Sequence, residues 1–188
     1  MSDYFSVWTL IRASGFLAFY FMTLSLFLGL FSSFSIMKKR KGRLLQSLHQ
    51  KSGWYGLLTI IFHIILIGRD QYAPYSSGEL FLPFFAKNEP VYSALGTLSF
   101  YLFFLVIGSS DFFIRRLGRT AWKKIHFVVI PAWVFMLIHG LGNGSDSSEP
   151  WALFIYLFAT AFMIVLLFIR IIESLMKRQS SGQRNLKS

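Results

Sequence analysis

The sequence contains no cysteine. That excludes disulfides, thiolate nucleophiles, iron–sulfur ligation and covalent haem attachment through C-x-x-C-H. Any metal chemistry must fall to His, carboxylates or Met. Acidic residues are also scarce: 8 Asp and Glu against 19 Lys and Arg leave a formal net charge of +11. In a soluble chain that balance would point to nucleic acid. Here the cations sit in short clusters between long apolar runs, and no separate polar domain presents a binding face, so nucleic acid is set aside as a partner. Polar surface is the third shortage. With 54% of 188 residues hydrophobic and 14% charged, too little of it remains to clothe a soluble domain.

What is present is apolar sequence in five runs, roughly 7–35, 44–68, 91–114, 122–141 and 151–175. Each is near the ~20 residues that cross a bilayer core. The sequence predicts an all-α polytopic membrane helix bundle of about five transmembrane helices, a multi-pass protein of the cell membrane. The first run is too long for a signal-peptide core and lacks a basic flank, so it reads as a retained helix. No internal repeat interrupts the pattern. The expected organisation is one membrane domain over 1–176 and a disordered basic cytoplasmic tail over 177–188.

Charge gives the orientation. Lys38, Lys39, Arg40, Lys41 and Arg43 fill the first loop, Arg115, Arg116, Arg119, Lys123 and Lys124 the third, and Lys177, Arg178, Arg184 and Lys187 the tail. The alternate segments hold Arg12, Arg69 and Lys87 together with Asp3, Asp70, Glu79, Glu89, Asp146 and Glu149. The positive-inside rule places the first set in the cytoplasm, the N-terminus outside and the C-terminus inside. That arrangement needs an odd number of crossings. The basic clusters act as topology determinants that also touch anionic lipid, or as a docking face for a cytosolic partner.

The four histidines, His49, His63, His126 and His139, fall in only the second and fourth runs. Both of those run from inside to outside, so His49 can meet His126 at one depth and His63 can meet His139 at another. Fourteen residues of helix separate the first two, about 21 Å of rise, and return to within about 40° of one face. Thirteen separate the second two, about 19.5 Å, but leave them about 140° apart on an ideal helix. Pro131 lies between them and should distort that helix. Imidazole pairs from opposing helices at two depths fit bis-imidazole ligation of two b-type haems. Intramembrane ionisable residues are costly and usually functional. Zinc or copper would need further ligands at each level. Gly53, Gly56 and Gly140, beside the histidines, either leave room for a flat macrocycle or allow close helix packing.

These features resemble the ferric reductase-like transmembrane family, which includes the membrane domains of ferric reductases and NADPH oxidases and the haem subunit of bacterial methionine sulfoxide reductase. The resemblance rests on the spacings His49/His63 and His126/His139 and on Ser109-Ser110, Arg115-Arg116, Gly118, Trp122 and His126. Arg12-Ala13-Ser14-Gly15 in the first run adds to it. It spans roughly residues 8–175. It implies a di-haem electron-transfer membrane subunit, with His49 and His126 on the inner iron and His63 and His139 on the outer one. Larger members continue into flavin and nicotinamide domains. Here only a short polar tail follows the last run, so this chain is expected to carry no flavin or nicotinamide site. The resemblance then implies a separate flavoprotein reductase or quinol as donor, and an acceptor on the outer face.

Arg12 and Arg69 lie near the level expected for the outer haem, where each can pair with a propionate or a headgroup phosphate. Asp111, four before Arg115, suggests an intrahelical ion pair. Trp8, Trp122 and Trp151 fit an interfacial belt, and Trp54 and Trp133 either edge a haem or pack. The rival to an electron carrier is a non-redox transporter or assembly protein, which would more often show broken helices or polar midplane residues.

Because the chain has no native thiol, single introduced cysteines test the orientation. Ser145→Cys should react with an impermeant thiol reagent on intact cells and Ser180→Cys should not; the reverse labelling would overturn the assignment.

Overall fold

The computed structural model describes residues 6–71 and 74–185, without the side chains of residues 36, 38–40 and 178–185. Asp3, Lys187 and the side chains of Lys38, Lys39, Arg40, Arg178 and Arg184, named above, lie outside that set. The helices are α1 (Val7–Ser33), α2 (Ser35–Ile67), α3 (Ser77–Phe81), α4 (Pro90–Gly108), α5 (Ile114–Phe127), α6 (Val129–Asn143) and α7 (Pro150–Asn185), with a π-helical turn at Ser109–Phe113.

α1 starts where the Ser6 hydroxyl accepts from the Thr9 N–H at 3.2 Å. It ends at Phe34, whose extended backbone (φ −67°, ψ 140°) reverses the chain into α2. α2 bends at Lys41 (φ −137°, ψ 20°) and then returns antiparallel along α1. Ser25 meets His49, Met22 meets Gly56, and Ser14 meets His63. The elbow is tied from a distance. Glu173 of α7 accepts from the Ser35 N–H at 3.1 Å and the Ser35 hydroxyl at 2.5 Å, serving the first turn of α2. The same carboxylate pairs with Arg170 and Lys177.

Among the described residues four stretches are long and apolar enough to cross a membrane, and one of them, Pro90–Asn143, is 54 residues long. It makes two of the five passes, because Gly118 turns it back. Gly118 sits at φ 72°, ψ 161°, a region essentially closed to side-chain-bearing residues. Beyond it the chain runs antiparallel to α4. Asn143 donates to Ser93, Ser99 donates to the Ala132 carbonyl, and Trp122 donates to Ser110. The bundle is thus two antiparallel hairpins, α1–α2 and α4–α5–α6, with α7 packed on α1 through Phe16–Trp151, Phe19–Tyr156 and Phe27–Phe162 ring contacts.

The join between the hairpins, 68–89, is not wholly irregular. α3 carries a capping box in which Ser76 and Glu79 bond reciprocally, a signal readable as Ser-x-x-Glu. N–H groups of Ser76 and Lys87, with the Ser76 hydroxyl, hold the Glu79 carboxyl below the usual carboxylate range. Thr97 and Tyr101 of α4 donate to the carbonyls of Leu80 and Phe81.

α7 is helical to Asn185. Leu175, Met176, Lys177, Arg178 and Gln179 are good helix formers, and the Glu173–Lys177 pair spans one turn. One expectation, at Asp111, is corrected. Asp111 forms no ion pair with Arg115 among the described residues. The π turn swings it across to accept from Trp54 Nε1 at 2.5 Å.

Among the described residues nothing lies within 4 Å of a Cβ built on Gly118 or on the helical Gly108. Gly118→Ala should therefore destabilise the bundle purely through backbone strain, by about 1–3 kcal/mol. Gly108→Ala should be neutral or slightly stabilising. Unfolding in detergent, followed by circular dichroism, compares the two.

Candidate functional site

The four histidines meet in the two predicted pairs. At the basic end of the bundle the His49 and His126 rings stand 6.0 Å apart between centroids, at 75° to one another. At the acidic end His63 and His139 both line a cavity of about 420 Å³. Its wall also holds Arg12, Asp70, Glu79, Glu89, Asp146 and Tyr156. Between the two levels lies an apolar layer that includes Phe19, Met22, Leu57, Phe103, Trp133 and Met136. Trp133 belongs to that layer. It is buried, its ring lies against Phe19, and its N–H donates to Thr23 at 2.9 Å.

The phase problem between His126 and His139 is eased at Val128, where α5 gives way to α6. The Val128 N–H bonds to the Ile125 carbonyl at 3.0 Å, a three-residue turn that advances the chain by about 120° per residue rather than about 100°. Pro131, just beyond, has no N–H with which to restore regular spacing. Overwinding is the direction needed to bring the two rings to one side.

Every imidazole is held at Nδ1 by a neighbouring helix. His49 Nδ1 lies 2.8 Å from the Ser25 carbonyl, His63 Nδ1 3.0 Å from the Ile11 carbonyl, and His139 Nδ1 2.9 Å from the Tyr92 carbonyl. A carbonyl only accepts, so each Nδ1 carries the proton and each Nε2 bears the free lone pair. Ser25 and Ser14 add hydroxyl contacts to His49 and His63. Among the described residues His126 Nδ1 meets only the Ser110 hydroxyl, at 3.4 Å. Among the described residues no Nε2 makes a hydrogen bond. This is how proteins prepare imidazoles as metal ligands, with the second nitrogen fixed by a carbonyl or other acceptor.

Glycines make these approaches possible, but not the ones nearest the histidines in sequence. A Cβ on Gly15 would stand 3.3 Å from His63, one on Gly29 3.1 Å from His49, and one on Gly96 2.6 Å from His139. The helices that supply the carbonyls therefore also supply the clearance. Gly53, Gly56 and Gly140 instead face Ser25, Met22 and Tyr156 and allow close helix packing. The true partners had a sequence signal: Gly15 and Gly29 are fourteen apart, the same interval as His49 and His63.

A family model for the ferric reductase like transmembrane component matches residues 14–138 of this chain. The chain belongs to that family. No curated protein and no solved structure matches it. Membership points to a membrane electron-transfer component in a family that is generally haem-binding. The match takes in His49, His63 and His126 and stops one residue short of His139. In this family member, His139 is brought into the set by the geometry of α4 and α6.

The remaining candidates separate. Arg12 lines the cavity, with Nε and Nη2 bonded to the two carboxylate oxygens of Asp146 at 2.6 and 2.5 Å. Asp146, in the loop between α6 and α7, was not singled out by sequence. Arg69 follows the end of α2, is exposed, and lies outside the cavity lining. Trp122 stacks on His126, with centroids 5.0 Å apart at 30°, and so contacts the site as well as any interface.

The geometry also tests what could be held. Among the described residues no three His, Asp or Glu side chains converge, so each level offers two imidazoles. Two imidazoles bound through Nε2 to opposite sides of one ion, at bonds of about 2 Å, place their ring centres about 6 Å apart. The His49–His126 separation matches, and a metal that brings its own four equatorial donors needs only such a pair.

Proposed function

We propose that this family member holds two b-type haems, one between His49 and His126 and one between His63 and His139, and carries electrons across the cell membrane. The observation that carries the reading is the pairing of imidazoles at two levels, each with Nδ1 engaged and Nε2 free. Bound there, the haem irons would supply one-electron redox chemistry at two depths. The protein's own part is to fix each imidazole's tautomer and to keep an apolar layer between the levels. At the acidic end Asp146 holds Nε and Nη2 of Arg12, and Nη1, free of hydrogen bonds among the described residues, would be available to an outer propionate. Arg69 would serve either a propionate or a lipid phosphate.

With the basic end in the cytoplasm, its cations favour docking of an acidic flavoprotein, and quinol in the bilayer is the other donor. The acceptor then lies outside, near the cavity, beside a loop with exposed Phe81, Phe84 and Phe85.

Haem content tests the assignment. The purified chain should carry two haems, His63→Ala losing the one at the acidic end and His49→Ala the one at the basic end. Unchanged content in all four single His→Ala variants would refute it. Direction is tested on right-side-out and inverted vesicles with pre-reduced haems. An impermeant oxidant should reoxidise them rapidly from the outer face; rapid oxidation from the cytoplasmic face alone would point to a cytosolic acceptor.

A further inference from the structure

His126 is held differently from the other three histidines. Their Nδ1 atoms lie 2.8–3.0 Å from backbone carbonyls, which no substitution removes. Among the described residues His126 depends on one side-chain oxygen, Ser110 Oγ, at 3.4 Å. That hydroxyl already donates its only proton to the Val106 carbonyl at 2.7 Å. Its oxygen can therefore only accept, and it accepts from two groups: Trp122 Nε1–H at 3.0 Å and, at longer range, His126 Nδ1–H. The π turn at Ser109–Phe113 places Ser110 there, and Trp122, one helical turn before His126, both stacks on the ring and competes for its acceptor.

We propose that Ser110 and Trp122 are positioning residues that set the electron-donating strength of the His126 imidazole, with Ser110 raising it and Trp122 restraining it. The proposal rests on the haem reading above. A hydrogen bond from Nδ1–H lends the ring imidazolate character, and outer-sphere bonds of this kind tune a metal's affinity and potential. Stronger donation favours the ferric over the ferrous state. The haem at the basic end thus has one firmly polarised ligand, His49, and one weakly polarised ligand whose strength is divided between two donors. At the acidic end both ligands are bonded to carbonyls. The asymmetry raises the potential of the basic-end haem relative to one held by two carbonyl-bonded imidazoles.

The test is potentiometry of the purified full-length protein with both haems, resolved into two components. Ser110→Ala removes the acceptor and should raise one component by about tenfold in the ferrous-to-ferric ratio, about 59 mV for one electron. Trp122→Phe keeps a stacking ring but frees the Ser110 oxygen for His126, and should lower the same component. Ser110→Thr, which keeps the hydroxyl, should restore the wild-type value, and the other component should stay in place throughout. A purely structural role would move both variants the same way or neither, and either result with two haems retained overturns the proposal. If His126→Ala leaves haem content unchanged, the haem reading fails and this inference with it. If haem is lost in His126→Ala yet Ser110→Ala and Trp122→Phe leave both potentials unmoved, this inference alone fails.

Discussion

A neutral imidazole buried in a membrane protein must find a partner for its N–H, because an unsatisfied donor away from water costs as much as a lost hydrogen bond or more. That requirement organises this bundle. Helix carbonyls are normally consumed within their own helix, so sharing one with a foreign ring demands close approach. α1 allows it with Gly15 and Gly29, and α4 with Gly96. Each hairpin pairs a helix bearing histidine with a helix bearing glycine and an exposed carbonyl. The antiparallel register, the interhelical distance and the imidazole tautomer are three aspects of one contact.

The same logic explains where regular helix is given up. The π turn at Ser109–Phe113 brings Ser110 to His126 and Asp111 to Trp54. The three-residue turn at Val128 rotates α6 so that His139 can reach the Tyr92 carbonyl. Gly118 lets the longest helical stretch fold back at all. These irregularities lie in the segment that carries the second pair of histidines. α2, whose fourteen-residue interval already suits the helix repeat, needs none between its two.

Much of this was legible in the sequence. The five passes follow from run length, the segregation of acids from bases follows from counting charges, and the pairing of His49 with His126 and His63 with His139 follows from parallel helices. What the sequence did not disclose depends on register between helices. Gly15 and Gly29 read as ordinary small residues until their interval is set beside that of His49 and His63. Asp146 sits in a loop with nothing local to mark it as the partner of Arg12, which is more than a hundred residues away. Asp111 would face Arg115 in a regular helix, and a π turn changes which neighbours face each other. Trp122 fits an interfacial belt by position, yet its ring lies on His126.

The division into two hairpins has a consequence for how such a protein is made. In both hairpins the histidine and the group that fixes it arrive on consecutive passes: His49 and His63 find theirs on α1, and His126 and His139 find theirs on α4 and its π turn. Each pair of passes can therefore settle its polar atoms as it leaves the translocation machinery, without waiting for the rest of the chain. Only the meeting of the two hairpins, through a join steadied by α3, creates the facing pairs. Late assembly thus becomes the docking of two finished walls, a step in which only ring faces, lone pairs and apolar surface remain to be matched.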